Sequence, residues 1–302
     1  MDELSAYFKS VDIHKKAHNL LTNSFVQCKI FPINYTNEAY ILKTDERDMV
    51  LVDDKPYPTN ILRENYGDSI DDYIDNGNLC AKSIVALFNK HKTNLKHKPS
   101  ILDWGCASGR VIRWLPKRID ANLYGCDINC NYINWCQKYL NNTGIFTQCT
   151  TYPHLPFKDG SFDLIYGLSI FTHIDQLIDM WLLELKRVLA DKGVLVVTIH
   201  DTNAYELINR YQNDTSKPES VVANIIKQSY GMTLPPSNTF YRMSAGNSSP
   251  RGNFMFFSDN NIKHTFGKIF DIRETLSIIN EEQYEIAINL GNFQTTYVLI
   301  KE

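Results

Sequence analysis

Two acidic residues and a pair of glycines define the chemistry that this chain can support. Asp103 is followed by Trp104-Gly105-Cys106-Ala107-Ser108-Gly109-Arg110, and a second acidic residue closes Tyr124-Gly125-Cys126-Asp127, 24 positions after the first. Glycine lets a chain turn sharply and lets backbone approach a ligand, and a helix start presents unpaired N–H groups. In doubly wound folds an acidic residue roughly 20 positions further on accepts ribose hydroxyls. On that reading Asp127 binds a ribose and Ile128 lies against an adenine face. The competing reading makes Asp127 only the cap of the next helix. A dinucleotide fingerprint counted from Gly105 needs glycine where Ala107 and Arg110 stand, and the Gly-Lys-Ser/Thr ending of a P-loop is missing. What remains is an acidic strand end followed by G-x-x-x-G.

Positioning these residues requires strands that end at Asp103 and Asp127, and the sequence supplies them. From Ser100 onward apolar strands alternate with helices: Ile101–Trp104, a helix from Arg110 to Leu115 closed by Pro116, Asn122–Cys126, a helix over Asn131–Leu140, and Ile145–Gln148. Phe162–Gly167 follows, then a helix whose stripe is Leu177, Trp181, Leu185, Val188 and Leu189, and then Val194–Ile199 after the turn Asp191-Lys192-Gly193. Near-continuous apolar strands of this kind imply a parallel sheet covered on both faces. The expected fold is a doubly wound, mostly parallel seven-stranded α/β sheet, with residues 96–302 as the main domain. An insertion at 203–257, with a helix around Ser220–Gln228, forms a lid after the fifth strand. A helix near Asn260–Phe266 and strands at Ile269–Leu276 and Thr295–Ile300 complete the sheet. Residues 1–95 form a cap, with helices at Leu4–Leu21 and Ile74–Phe88 and short strands within Tyr40–Val52. The second helix places Ile74, Leu79, Ile84, Leu87 and Phe88 on one side.

Composition narrows the function classes. The chain has 302 residues, is 43% hydrophobic and 22% charged, and carries a formal charge of −3. That balance suits a protein with a substantial core and offers no general attraction for nucleic acid. The densest basic stretch, Lys90–Lys98, reads as a solvated linker, so no nucleic-acid partner is expected. Met1–Ser10 has no apolar signal region and no run reaches the length of a membrane span. The seven cysteines are then expected as reduced thiols of a cytoplasmic protein. The C-x3-C-x5-C spacing of Cys126, Cys130 and Cys136 fits no zinc or iron–sulfur pattern, and these residues read as core hydrophobes.

The motifs together resemble the class I S-adenosylmethionine-dependent methyltransferases. Ile101-Leu102-Asp103-Trp104-Gly105-Cys106 with Gly109-Arg110, Tyr124–Asp127, Leu155-Pro156-Phe157, Ser161–Tyr166, Ser169–His173, Leu185–Leu189 and Gly193–His200 occur in that family's order. The nearest look is to bacterial small-molecule methyltransferases of sugar and polysaccharide pathways, over roughly residues 75–201. The resemblance implies S-adenosylmethionine as cofactor and S-adenosylhomocysteine as product. It implies that Asp103, Gly105, Cys106, Ala107 and Gly109 shape the methionine end, that Asp127 binds the ribose, that Thr151 and Tyr152 meet the adenine edge, and that Gly167, Leu168 and Ser169 line the sulfonium side. Ala107 departs from the family's usual glycine. If the position needs positive φ, alanine there costs about 1 kcal/mol.

For the acceptor, the Asn/Asp-Pro-Pro-aromatic motif of base and glutamine amino-methylases is replaced by Gly167-Leu168-Ser169-Ile170. His173 and His200 are the acid/base candidates, because histidine titrates near neutrality and suits removal of a hydroxyl proton. Thr172 and Asp175 form half of a capping arrangement that would set His173 in a first helical turn. Asp201 and Asn203 lack an acidic partner after the fourth strand, so no metal site is expected. Phe240, Tyr241, Arg242, Arg251, Phe254, Phe256 and Phe257 either wall a sugar or acidic substrate or pack the lid on itself. The expected activity is methylation of a small-molecule or glycan hydroxyl, with amine or peptide N-methylation and a non-enzymatic cofactor-binding scaffold as alternatives.

Overall fold

Runs of β-branched and aliphatic residues build the centre of the molecule, as the strand pattern requires. The structure, a computed structural model, describes residues 51–52, 55–63, 69–246, 252–280 and 284–302. The helix expected at Leu4–Leu21, Arg251, and all but the last two residues of the expected Tyr40–Val52 strands lie outside the described residues. In chain order the elements are β1 (Leu51–Val52), β2 (Lys55–Pro56), α1 (Asn60–Arg63), α2 (Ile70–His91), β3 (Ser100–Trp104), a 3-10 helix (Ile112–Lys117), β4 (Asn122–Asp127), α3 (Cys130–Tyr139), β5 (Ile145–Gln148) and β6 (Phe162–Gly167). There follow α4 (Ile178–Val188), β7 (Leu189–Ile199), α5 (Thr202–Tyr211), α6 (Pro218–Ser229), β8 (Arg242–Gly246), β9 (Asn253–Phe257), α7 (Asp259–His264), α8 (Phe266–Ile269), β10 (Asp271–Leu276), α9 (Tyr284–Gly291) and β11 (Thr295–Ile300).

Seven strands form one sheet in the order β10-β11-β7-β6-β3-β4-β5. Strands β3 to β7 pair in parallel, while β11 runs antiparallel to both β7 and β10. Side chains alternate between faces, so each strand feeds two cores. Ile101, Leu164, Tyr166, Val194, Val196 and Val298 pack under α2, α3 and α9. Leu102, Trp104, Ile165, Leu195, Val197 and Leu299 pack under α4, α7 and α8. Strand order reverses between β3 and β6, which opens the rim at their carboxyl ends to a ligand.

Helix α2, expected within a cap, is a wall of the first of these cores. Ser69 caps it: its hydroxyl accepts from the Asp72 N–H at 3.0 Å while the Asp72 carboxylate accepts from the Ser69 N–H. Gly77 lets α2 lie directly on the loop after β3, since a Cβ there would stand 2.2 Å from the Arg110 carbonyl oxygen. Ile84, Leu87 and Phe88 are buried as expected, but Leu79 is 39% exposed, because the helix turns that position away from the sheet. The basic stretch is not free linker: Lys90 and His91 end α2 and pair with Glu274, while His97 pairs with Asp163 and Lys98 with Asp120.

Other expectations change locally. The segment expected to be a helix over Arg110–Leu115 is a 3-10 turn over Ile112–Lys117, and Pro116 lies inside it rather than closing it; the tighter winding tolerates the missing N–H in the last turn. The turn at Asp191-Lys192-Gly193 is an irregularity within a continuous β7, with Lys192 at φ +61°. Leu177 is 47% exposed, because it sits at the α4 cap in a left-handed conformation instead of on the buried stripe.

The insertion has its own core, in which Leu207 and Ile208 of α5, Val222 and Ile226 of α6, and Met243 and Phe256 of the β8–β9 hairpin meet. The hairpin closes on the sheet rim: Phe257 N–H donates to the His200 carbonyl at 2.9 Å and Met255 N–H to the Thr172 carbonyl at 2.8 Å. No described helix is long and apolar enough to cross a membrane.

Candidate active site

The loop after β3 places a carboxylate and a tight turn at the sheet rim. Gly105 has φ +79° and Gly109 φ +81°, and a Cβ on Gly105 would meet Ile170 Cδ1 at 2.1 Å. Ala107 adopts φ +45°, so the cost foreseen for alanine at this place does apply. Asp127, at the end of β4, holds the loop in shape. One carboxylate oxygen accepts the Ala107 N–H at 2.9 Å and the other the Asn129 N–H at 2.8 Å. Asp127 therefore does not cap α3; Asn129 does, through its own side chain.

Asp103 is 5% exposed and Asp127 9%. Burial lifts the Asp103 carboxyl to about 7, helped by the Asp127 charge and opposed by the neighbouring Tyr166 hydroxyl and Arg110. The Tyr166 Oη lies beside Asp103 without closing a hydrogen bond in this geometry. Burial lifts Asp127 to about 6, against the pull of the N–H groups of Asn129, Ala107 and Ile128. Burial also holds the Cys106 thiol well above its ordinary value, so it lines the loop as a neutral group. Two buried carboxylates with depleted solvation on adjacent strand ends form a site that favours a ligand carrying cations and hydroxyl donors.

Beyond the first two strand ends, Thr151 and Tyr152 follow β5 on the surface, with Tyr152 65% exposed. Ile128 is half-buried against the second core. Gly167 ends β6, Leu168 packs partly on the first core, and Ser169 has φ +59°.

The two histidines have different surroundings. His173 is not in a helical turn. Thr172 donates its hydroxyl to the Ser169 carbonyl at 2.9 Å instead of capping, and α4 starts only at Ile178. His173 is half-buried and its Nδ1 stands 2.8 Å from the Asn253 carbonyl oxygen of β9. A carbonyl only accepts, so Nδ1 carries the proton and Nε2 keeps the lone pair. Burial lowers its pKa, opposed by that carbonyl. His200 is 1% exposed and stacks at 2° on Phe293 and at 22° on Phe256. Burial and the nearby His173 push it down to about 3, and its Nε2 has no hydrogen-bond partner among the described residues. His200 therefore cannot touch an acceptor unless its aromatic surround opens.

Among the aromatic residues of the insertion, Phe256 and Phe257 are fully buried and wall nothing; the hairpin turns them into the cores. Phe254 is partly buried between the two histidine rings. Asp201, weighed as a metal ligand, is spent otherwise: it accepts from Ala204 N–H, Thr295 and Tyr297 hydroxyls and the Asn203 amide. Sequence reasoning missed Tyr73 of α2, whose hydroxyl meets Ser108 Oγ at 3.0 Å, while Ser108 donates to the Leu62 carbonyl. The glycine loop after β3 is thus tied to residues before the sheet, and no local motif signals such a contact.

Comparison with known proteins agrees with this geometry. A family profile described as a methyltransferase domain matches residues 102–197. A sterol 24-C-methyltransferase of Aspergillus fumigatus is 27% identical over 158 residues, covering 47% of this chain and 40% of that protein. A fatty-acid O-methyltransferase of Mycolicibacterium smegmatis is 29% identical over 99 residues, covering 32% of this chain and 36% of that protein. The chain thus spans about two fifths of the length of the curated relatives it matches. A solved structure of a Pyrococcus horikoshii protein shares the fold, with TM-score 0.50 and 16% identity over 73% of this chain and 89% of that one. Sheet order, rim carboxylates and profile coincide on the same segment, and the chain carries a class I S-adenosylmethionine-dependent methyltransferase domain.

Proposed function

We propose that this protein transfers the methyl group of S-adenosylmethionine to a hydroxyl of a small molecule or glycan. The cofactor fits the rim by charge and by shape. Asp103, a buried carboxylate at the strand end, would face the cationic methionine end, and Asp127, which already accepts the Ala107 N–H, would hold the ribose hydroxyls. Gly105, Cys106, Ala107 and Gly109 form the cradle; Ile128, Thr151 and Tyr152 border the adenine; Gly167, Leu168 and Ser169 line the transfer side. Bound there, the cofactor supplies an electrophilic methyl carbon on a sulfonium leaving group. The protein's part is then to align the acceptor and take its proton.

The observation that carries the hydroxyl reading is the fixed neutral tautomer of His173. Its Nδ1 proton is held by the Asn253 carbonyl and its lowered pKa keeps Nε2 unprotonated at neutral pH. With the cofactor bound to supply the methyl group on its sulfonium leaving group, Nε2 of His173 would take the proton of the acceptor hydroxyl as that oxygen is methylated. His200 acts behind it, setting the position of Phe254 and hence of His173. A second reading, methylation at carbon, is favoured by the similarity to sterol C-methyltransferases.

Calorimetry with S-adenosylmethionine and S-adenosylhomocysteine is the first test, and absence of binding by both would sink the proposal. Incubation with methyl-labelled cofactor and a panel of alcohols, glycosides, fatty acids, sterols and amines then reads the new bond by NMR. An O-methyl product supports the hydroxyl reading. A C-methyl or N-methyl product replaces it, and binding without any product points to the scaffold alternative.

A further inference from the structure

Three segments that are far apart in sequence meet at the transfer side of the rim. Ser169 just after β6, Thr198 near the end of β7 and Gln294 just before β11 form one hydrogen-bonded set. Ser169 N–H donates to Thr198 Oγ1 at 2.7 Å. The Thr198 hydroxyl donates to Gln294 Oε1 at 2.7 Å, and the Ser169 hydroxyl donates to the same oxygen at 3.0 Å. Thr172 adds a bond to the Ser169 carbonyl at 2.9 Å. Thr198 is fully buried, while Ser169 and Gln294 are half-buried.

This set surrounds a backbone conformation that a serine does not choose freely. Ser169 has φ +59°, and an L-residue there crowds its own Cβ against the following carbonyl. Such a conformation persists where the surroundings over-determine it. Strand alternation also places the set beside the cofactor loop. Asp103 pairs with Tyr166 and Tyr166 with Val196, so Thr198, two residues on, lies on the same sheet face as Asp103. Both lone pairs of Gln294 Oε1 are engaged, and its Nε2 has no partner among the described residues.

We infer that Gln294 is a positioning residue of the methyl-transfer site: through Thr198 it locks the Ser169 turn in the conformation that lines the sulfonium side. The inference rests on the cofactor assignment proposed above. A purely structural tie of the tail to the sheet would use the same bonds, so the test needs a readout in the site itself.

The measurement uses the full chain and its variants Gln294→Ala, Thr198→Val, Thr198→Ser and the Gln294→Ala/Thr198→Val double. Amide hydrogen exchange at Ser169, without cofactor, reads the lock; calorimetric affinity for S-adenosylmethionine reads its consequence. Gln294→Ala and Thr198→Val should each speed exchange and weaken cofactor binding by about tenfold. Thr198→Ser keeps the hydroxyl and should behave as wild type. Because the two residues act through one lock, the double variant should lose no more than the worse single one. Unchanged exchange in Gln294→Ala and Thr198→Val, additive losses, or faster exchange with unchanged affinity would each overturn the inference. Wild-type protein binding neither S-adenosylmethionine nor S-adenosylhomocysteine would bring down the cofactor assignment itself, and the exchange rates would then report separately on whether the lock exists.

Discussion

The rim of this sheet has two halves built on different principles. At the ends of β3 and β4, the site is made by short-range sequence: a glycine loop, an acidic residue before it, and a second acid whose carboxylate clasps the loop's own backbone through Ala107. At the ends of β6 and β7, it is made by distant segments. Asn253 fixes His173 from 80 residues away, and Gln294 reaches Ser169 across 125 residues. The first half resembles a prepared socket for a cofactor of fixed shape. The second draws on the insertion and the tail, which lie outside the profile match at 102–197, and on the proposed function these are the parts free to suit an acceptor.

His173 tests the separation of the two halves most directly. His173→Ala should lower turnover by about 10²–10⁴, the usual range for loss of a positioned base, while leaving cofactor affinity within about twofold. If cofactor affinity falls as steeply as turnover, the two halves are not separable. Asp127→Ala should do the reverse: calorimetry should show cofactor binding weaker by about a hundredfold, the scale of one or two lost hydrogen bonds to a charged group. An unchanged affinity would remove Asp127 from the ribose.

The pH response sharpens the electrostatics of the cofactor half. Asp103 keeps its proton in the native state up to about 7, whereas its ordinary value is 3.8. Between those values the native chain binds more protons than the unfolded chain. The contribution of Asp103 to the stability of the cofactor-free protein is therefore largest below about 4, falls as pH rises to about 7, and is level above. Asp127 adds a fall of the same sign that ends near 6. Cofactor affinity should run the other way, weakening as pH is lowered through the same interval, because a cationic ligand needs the ionised carboxylates. Asp103→Asn should raise the cofactor-free melting temperature at pH 8 and flatten the stability profile, while weakening cofactor binding. A profile in Asp103→Asn as steep as in wild type would show that other groups carry the pH dependence.

The same division explains what was legible in the sequence. The mostly parallel seven-stranded sheet and the strand ends at Asp103 and Asp127 follow from apolar periodicity and loop chemistry, which are local; the strand order is set by tertiary pairing and was not legible. His173 was recognised by type but misplaced in a helix, because the Thr172 hydroxyl that looked like a cap is engaged with the Ser169 carbonyl. Phe256 and Phe257 were legible as aromatic and not as buried, since hairpin pairing decides which way they face. Leu79 misled because a helix covered on one side by the sheet tolerates an apolar residue on the other. Tyr73 and Gln294 belong to no motif, and Ser108 is only a spacer in one; tertiary contact gives all three a role.

The smallest expected effect tests the one irregularity of the cofactor loop. Ala107 sits at φ +45°, where a Cβ costs about 1–2 kcal/mol and glycine none. Ala107→Gly relieves that cost, but it also frees the unfolded chain, which takes back about 0.4–1 kcal/mol. The Ala107 methyl packs partly on the first core, so its removal offsets a little more. The relief should still win narrowly, raising the melting temperature by about 1–2 °C in a chain of this size. Cofactor affinity should stay within about twofold, since the Ala107 N–H that Asp127 holds is retained in glycine. A lowered melting temperature would mean that the methyl contact outweighs the strain, and that alanine at this turn is a packing choice rather than a tolerated defect.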